Sequence, residues 1–383
     1  RQLEMASKEG DGDASCILAR CLCGYQYVWS EHGFPEDDDR AIALMHRSVE
    51  QGSAIGVLVA LRTGELTPSV KAKMPFSSLE EAFDIVEQKA KMGDAFCQYT
   101  VGNAYFWWDF LEIQEKGRDS FPNSQAFKEY LRENISKCED WFWKAFEGGM
   151  YLAANNLNKY YQTGDEDIIL PQPQKAEGIW RFGAEKGYPI HQYLYAKELD
   201  KEGKKEEAFQ WHERAAKNGH KDSWYYVGLA YEEGKLFPKN CSYAAQCYEK
   251  GLKPSGSIGC YNRLGVLYFK GDGVPQDYEK AVKLLTQAYE EENNWGVVYL
   301  AEAYFKGLGV RQDYIKAREL LDNITWNNEN ANYMKGVIYA QGLGVPADIK
   351  KGVEYLQKAG NHKQAKEELG KYKKTLFGKW VRR

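Results

Sequence analysis

Apolar and small residues recur along most of this chain with the spacing of one helix face, in paired segments that short polar turns separate. In one well-formed pair these positions are Cys260, Leu264, Gly265 and Tyr268 in the first segment and Ala281, Leu284, Leu285 and Ala288 in the second. The intervals follow the 3.6-residue period of an amphipathic helix and not the alternation of a strand. The pattern therefore predicts helix–turn–helix units.

The turn between the paired segments is itself repeated, with a period of about 35 residues. The copies are GDGVPQDYEKA at 271–281, GLGVRQDYIKA at 307–317 and GLGVPADIKKG at 342–352. A small residue stands in the first helix of each unit, namely Gly265, Ala301 or Gly336. Such self-similarity is typical of arrays in which each helix pair buries its face against its neighbours. We therefore predict an all-α protein with an α-solenoid architecture.

The glycine-rich turn has a structural explanation. Gly271 suits a left-handed residue that ends the first helix. Just before each second helix stands an aspartate whose side chain can accept from free backbone N–H groups: Asp277, Asp313 or Asp348. A phosphate loop would need a preceding strand and a basic anchor, and a calcium loop would need alternating ligands with a closing glutamate. Three tandem copies favour the structural turn.

The motif weakens toward the N-terminus, which divides the chain into regions of different regularity. The predicted regions are degenerate N-terminal helical repeats at 1–93, a repeat with an aromatic-rich insertion (about 106–127) at 94–149, divergent repeats at 150–252, well-formed repeats at 253–361, and a C-terminal capping helix with a basic tail at 362–383. The last helix is predicted over 362–374. A terminal element of this kind covers the apolar face that the last repeat would otherwise expose.

Composition and motifs exclude several classes of function. The 51 basic and 55 acidic residues give a net charge of −4, which is unfavourable for binding nucleic acid. No apolar run approaches the roughly 18 residues of a membrane-spanning helix. Because phosphate-loop, zinc-protease and nucleophile-elbow motifs do not occur in the sequence, we expect no catalytic residues, no metal and no cofactor.

The turn and its flanking residues resemble a known family. The pattern A-x-x-x-L-G-x-x-Y-x-x-G-x-G-V-x-x-D-x-x-K-A, with Lys280–Ala281 and Lys316–Ala317 as the K-A pair, is similar to the Sel1-like repeat, a relative of the tetratricopeptide repeat. Residues 257–360 match it closely, residues 94–256 loosely and residues 1–93 by helix pattern only. The resemblance implies a right-handed superhelix of antiparallel helix pairs that serves as a scaffold, adaptor or receptor for other proteins.

The eight cysteines bear on the compartment. Disulfide-linked members of this family place cysteines regularly, whereas here Cys97 and Cys260 share the small position of the first helix and Cys138 aligns with Ala281 in the second. We expect buried thiols, which favours the cytoplasm. The chain begins with Arg1 and not Met, so we expect that a preceding segment was removed; had it been a signal peptide, the protein would be periplasmic.

Candidate partner-binding residues follow from the repeat register. First-helix residues that packing does not require line the concave side of a solenoid. Around the small residue these positions vary from unit to unit and are rich in tyrosine and asparagine. The candidates are Tyr99, Asn103, Asn155, Lys159, Tyr225, Asn262, Glu302 and Tyr333.

Aromatic residues make up 14% of the chain and concentrate in the insertion. Trp107, Trp108, Phe110 and Phe121 exceed what one repeat is expected to bury. One interpretation is a local mini-core beneath the insertion. The other is a partner-binding bulge, because aromatic anchors dominate interface energetics. Both interpretations remain open at this point.

The sequence thus predicts a non-enzymatic protein–protein interaction scaffold that binds a partner protein in its concave surface and is monomeric when free. One role that the resemblance implies is that of a bacterial immunity protein neutralising a secreted toxin or effector. An envelope or signalling assembly factor is the alternative within the same class. An enzyme with a site in the insertion is the least favoured hypothesis, since no nucleophile–base or metal constellation accompanies it.

Overall fold

The computed structural model describes residues 2–23, 35–165, 167–176, 178–252, 257–376 and 378–383. The chain divides into an N-terminal unit, Arg1–Lys186, and a C-terminal unit, Gly187–Arg383. The degenerate repeats predicted at 1–93 include residues 24–34, which lie outside the described residues.

The N-terminal unit consists of helices that pack in antiparallel pairs. They are α1 (Gln2–Lys8), α2 (Gly12–Leu22), α3 (Asp38–Glu50), α4 (Ala54–Thr63), α5 (Pro68–Lys71), α6 (Leu79–Lys91), α7 (Ala95–Phe106), α8 (Asp109–Ile113), α9 (Ser124–Glu147), α10 (Ala153–Thr163), α11 (Pro173–Ala176) and α12 (Ile179–Glu185). Helix α2 pairs with α3, α4 with α6, and α7 with α9. The first helices also contact one another in series, α2 against α4 and α4 against α7.

The C-terminal unit continues the same scheme with greater regularity. Its elements are α13 (Pro189–Lys201), α14 (Lys205–Lys217), α15 (Lys221–Glu233), α16 (Cys241–Gly251), α17 (Ile258–Lys270), α18 (Tyr278–Glu290), α19 (Val297–Lys306), α20 (Tyr314–Asp322), α21 (Glu329–Gln341), α22 (Ile349–Lys358), α23 (Lys363–Leu369), β1 (Tyr372–Lys374) and β2 (Trp380–Arg382). Each pair from α13–α14 to α21–α22 packs tightly, and each second helix contacts the next first helix. This arrangement confirms the predicted all-α solenoid.

The repeated turn has the predicted conformation. Gly271 ends α17 with φ of 69°, in the left-handed region that favours glycine. Asp277 Oδ1 accepts a 2.9 Å hydrogen bond from the Lys280 amide, and the equivalent aspartates cap α20 and α22 in the same way. The structural interpretation of the turn is therefore confirmed.

Close packing explains why the second position of the turn requires glycine, and the sequence alone did not show this. Gly273 has φ of 75°, and a Cβ there would lie 2.4 Å from the backbone carbonyl carbon of Cys241. Gly309 makes the same close approach to the backbone of Tyr278. Each turn thus packs directly on the start of the preceding second helix, and a side chain would separate the two.

The three cysteines that the repeat register predicts to lie in the core are buried. Cys97, Cys138 and Cys260 are each 0% exposed, and their thiols are free. Burial raises the pKa of the Cys97 and Cys260 thiols to about 12. These thiols are therefore protonated and unreactive at neutral pH.

The C-terminal end differs from the predicted single helix over 362–374. Helix α23 ends at Leu369, and the basic tail forms an antiparallel hairpin in which Tyr372 pairs with Arg382 and Lys374 with Trp380. Tyr372 is buried, and Trp380 packs against the same apolar cluster as Val353 and Leu356 of the last repeat. The tail therefore covers this apolar face, but it does so with strands.

Candidate partner-binding groove

A groove with a volume of about 850 Å³ crosses the N-terminal unit. It is open to solvent and draws its walls from helices far apart in sequence. The lining residues are Ala19, Arg20, Cys23, Ala41, Ile42, Met45, Arg62, Thr63, Glu65, Tyr99, Asn103, Trp107, Leu152, Asn155 and Asn156. Most of them belong to the first helices α2, α4, α7 and α10.

The floor of the groove is apolar because buried residues of α2 and α3, together with the residue before α10, face it. These residues are buried, so they shape the floor but expose little surface to a ligand: Ala19, Ala41, Met45 and Leu152. Ile42 of α3 differs from them, since 39% of it is exposed. An exposed isoleucine over an apolar floor can bury a partner's apolar side chain at a gain of about 25 cal/mol per Å².

Trp107 dominates one wall. It follows the last residue of α7, and its backbone N–H still donates to Asn103 O, which holds the ring at the helix end. Lys159 Nζ lies 3.9 Å and Arg62 Cζ lies 4.5 Å from the centroid of its ring. Two cations over one indole ring fix its orientation and give this wall a positive charge.

Arg62 also pairs with a carboxylate below the groove. Its Nη1 lies 3.3 Å from Asp109 Oδ1, and the aspartate side chain is 13% exposed. Burial raises the pKa of Asp109 to about 6, which the Arg62 charge only partly offsets. This carboxylate therefore neutralises Arg62 incompletely in mildly acidic solution.

Arg20 is less satisfied than Arg62. Its Nε is buried and has no hydrogen-bond partner among the residues that the structure describes. Arg20, Arg62 and Asp109 border a space of about 10 Å³ beneath the groove, close to the volume of a single water site. An unsatisfied Nε–H of this kind can donate to a water or to a ligand oxygen that reaches it.

Amides and one ion pair complete the walls. Asn156 Nδ2 donates to Asn103 Oδ1 over 2.7 Å, which joins α10 to α7, while Asn155 is exposed toward the groove. His46 Nε2 lies 3.1 Å from Glu65 Oε2 at the opposite side. The groove thus combines an apolar floor with hydrogen-bonding and mainly cationic walls.

The structure brings together the candidates that the sequence placed in the N-terminal half. Tyr99, Asn103 and Asn155 line the groove, and Lys159 reaches it through Trp107. Three of these candidates thus share one surface of this unit. Their role in binding stays a prediction.

The four candidates in the C-terminal unit have other surroundings. Asn262 is 2% exposed, and its amide donates to Asn293 O and accepts from the Gly296 amide. Tyr333 stacks on His362 with 4.6 Å between ring centroids. Glu302 accepts from Lys306 and from Asn330. Tyr225 packs in the core cluster around Tyr248. These contacts are internal, so we do not include the four residues in the proposed surface.

The four aromatic candidates of the insertion have three different surroundings. Phe110 is 1% exposed and packs with Tyr105 and Tyr130, and Phe121 lies 4.8 Å from Tyr130. These rings form the local mini-core. Trp108 has φ of 69°, and its indole N–H donates to Asp165 Oδ2 over 2.7 Å, so it ties the insertion to a later loop. Of the four, only Trp107 lines the groove.

Sequence reasoning missed Arg20, Arg62, Ile42 and Met45. All four lie within the first 93 residues, where the motif is too degenerate to place residues in a common register. An arginine near the end of a largely apolar first helix, as in AIGVLVALRT and in the CILARCL part of α2, is the signal that could have identified the two arginines.

The described ranges contain neither a metal-binding cluster of side chains nor a membrane-spanning helix. No three His, Cys, Asp or Glu side chains there come together in a way that could hold a metal ion. None of the helices in these ranges has both the length and the apolarity needed to cross a membrane.

Comparison with known proteins identifies the repeats. A family model described as Sel1 repeat matches residues 18–53, 193–220, 225–253, 259–293, 297–322 and 330–363. The solved structure of c5321, a protective antigen of uropathogenic Escherichia coli strains with an SLR fold, is similar with a TM-score of 0.51 at 20% identity, covering 96% of this chain and 81% of that chain. A Sel1 repeat protein from Oxalobacter formigenes covers 96% of this chain and 89% of its own at 20% identity, with a TM-score of 0.41. At this identity the likeness to c5321 concerns the fold alone.

Proposed function

Since the chain belongs to the Sel1-repeat family, whose members generally act as protein–protein interaction scaffolds, we propose that it is a non-enzymatic scaffold whose N-terminal groove receives a segment of a partner protein. The observation that carries this proposal is the groove itself, about 850 Å³ with Trp107 and exposed Ile42 on its walls. Aromatic and aliphatic anchors of this kind supply most of the binding energy at protein interfaces.

The potential nucleophiles in the groove support a binding role. Thr63 Oγ1 donates to Val59 O over 2.9 Å, and Cys23 Sγ donates to Arg20 O over 3.3 Å. Both groups are thus engaged with backbone carbonyls of their own helices. His46 pairs with Glu65, which lines the groove. Nucleophilic catalysis would need the base to contact the nucleophile.

Within this class, the specific role that we propose first is neutralisation of a secreted toxin or effector, which would make the protein an inhibitor of immunity type. Family resemblance supports this role. Assembly of an envelope or signalling complex is the alternative. The two roles differ in the partner recovered, which is one stoichiometric effector in the first case and several proteins in the second.

The experiment is affinity purification with mass spectrometry from the source organism, using the wild-type chain, Trp107→Ala and Trp295→Ala. Trp295 is an exposed tryptophan of the C-terminal unit, 47% exposed, and is the matched control. We expect wild type and Trp295→Ala to retain a stoichiometric partner that Trp107→Ala loses.

A second variant guards against a folding defect in Trp107→Ala. Asn155 is exposed, so Asn155→Tyr leaves the core intact and fills the groove without changing its charge. Loss of the partner in both variants, with unchanged circular dichroism, supports the proposal. Full retention by both variants would contradict it.

A further inference from the structure

The charges around the groove differ in sign from the chain as a whole. The chain carries a net charge of −4. Around the groove stand three cations, Arg20, Arg62 and Lys159, against two carboxylates, Asp109 and Glu65. Local positive charge on an acidic protein attracts an acidic ligand.

The two carboxylates are both engaged, whereas the Nε–H of Arg20 is not. Asp109 contacts Arg62, and Glu65 contacts His46. Arg20 Nε, by contrast, is buried with no partner in the described part of the chain. A buried donor without an acceptor is unfavourable, and a ligand carboxylate that reaches it would supply the missing acceptor.

The remaining lining residues indicate what carries the carboxylate. The apolar floor and the exposed Ile42 suit an aliphatic or aromatic side chain. The amides of Asn103, Asn155 and Asn156 can donate to and accept from a peptide backbone that has no partners of its own. An extended peptide presents these features in alternation, since successive side chains point to opposite sides.

From this arrangement we infer that the groove selects an extended, acidic segment of the partner, in which side-chain carboxylates pair with Arg20 and the cations over Trp107 while intervening apolar side chains pack on Ile42 and the floor. The inference rests on the proposed function and specifies the chemistry of the partner segment. Nucleic acid also offers anions and rings, but the overall charge of −4 opposes it.

The experiment uses the full chain and fluorescein-labelled, C-terminally amidated dodecapeptides in fluorescence anisotropy. One probe alternates Glu with Leu, and the second has Gln at every Glu position. We expect the Glu peptide to bind at least about tenfold more tightly than the Gln peptide, because only the first supplies charged partners to the arginines. Added salt should weaken binding of the Glu peptide and leave binding of the Gln peptide unchanged.

Variants assign the effect to the groove. Arg20→Gln should lower the affinity for the Glu peptide about tenfold and leave that for the Gln peptide unchanged. Arg47→Gln, which removes an exposed arginine of α3 outside the groove lining, is the matched control and should bind both peptides like wild type. Because Asn155 is exposed, Asn155→Lys should strengthen and Asn155→Glu weaken binding of the Glu peptide in intact folds.

Several results would overturn the inference. These are absence of binding by the Glu peptide, equal affinity for both amidated peptides, or equal losses in Arg20→Gln and Arg47→Gln. A Gln peptide with a free C-terminal carboxylate that matches the Glu peptide would assign the site to chain ends, and equal binding of a labelled oligouridylate would assign it to nucleic acid. If the Glu peptide fails while Trp107→Ala still loses its cellular partner, the proposed function stands and this inference falls.

Discussion

Glycine in the first helix, with only a hydrogen atom as its side chain, allows the two helices of a repeat to approach closely. At Gly228 of α15 a Cβ would lie 2.5 Å from the ring of Tyr248, which is fully buried on α16. Gly102 faces Phe142, and Gly336 faces Leu356, at comparably short distances. The small residue predicted from the repeat register therefore has a packing cause, because the second helix places a large side chain directly against it.

Gly228→Ala is expected to lower the free energy of unfolding by about 1 to 3 kcal/mol, because the buried Tyr248 ring has to shift to admit a methyl group. Urea denaturation followed by circular dichroism measures the change. Gly117→Ala is the control, since no atom lies within 4 Å of the position that its Cβ would take. Equal stability of the two variants would show that the helix contact is not tight.

Buried histidine gives the C-terminal unit a predicted sensitivity to acid. His212 stacks on Tyr226 at 4.2 Å between centroids, and its Nε2 lies 3.2 Å from Asp200 Oδ2. Burial lowers the pKa of His212 from 6.5 to about 4, opposed by the Asp200 carboxylate and aided by the charges of His220 and Lys197. The folded chain therefore holds this imidazole neutral where the unfolded chain protonates it.

Stability is expected to fall as the pH decreases from 6.5 to about 4, because the unfolded state takes up the proton first. His212 accounts for up to about 3 kcal/mol of that fall. His212→Gln should therefore lose less stability over this range than wild type, each protein being compared with its own urea midpoint at neutral pH. An identical fall in both proteins would contradict the assignment.

At the scale of the element, the repeated turn connects two helices by capping both. Glycine ends the first helix in the left-handed region, and an aspartate satisfies the free N–H groups of the second. These features were predictable from sequence because glycine conformation and capping are local. The hairpin after α23 was not predictable, since pairing of Tyr372 with Arg382 depends on a partner strand and on the apolar face of the last repeat.

Asp277→Ala is expected to lower the unfolding free energy by about 1 kcal/mol, because the Lys280 amide loses its acceptor. Asp277→Asn keeps an acceptor oxygen and should remain close to wild type. The difference between the two variants in urea denaturation isolates the cap from other effects of removing the aspartate. A loss of equal size in both would indicate that charge matters more than the hydrogen bond.

Asn262 shows how far alignment of repeats can assign a binding position. The register placed it with Tyr99 and Asn155 on the first helix. In the structure its amide bridges Asn293 and Gly296 in the connection to the next repeat, and a Cβ on Gly296 would lie 2.5 Å from its Oδ1. The register predicts where a side chain starts, but the length and course of the following loop decide what it contacts.

At the scale of the molecule, the candidate groove joins residues that the chain separates widely. Arg20, Arg62 and Asn155 belong to α2, α4 and α10, and Trp107 directly follows α7. Only the two later residues stood among the sequence candidates, because the motif is weakest where the arginines lie. The solenoid fold was predictable from periodicity. The groove was not predictable, because it depends on how the degenerate repeats pack against one another.

The central claim is that this groove receives the partner, and photo-crosslinking tests it most directly. A benzoylphenylalanine placed at Ile42, 39% exposed in the groove, is compared in cells with one at Met92, 80% exposed and not among the groove-lining residues. We predict a specific adduct with the partner from position 42 and none from position 92. Adducts of equal yield from both positions, or an adduct from position 92 alone, would contradict the account.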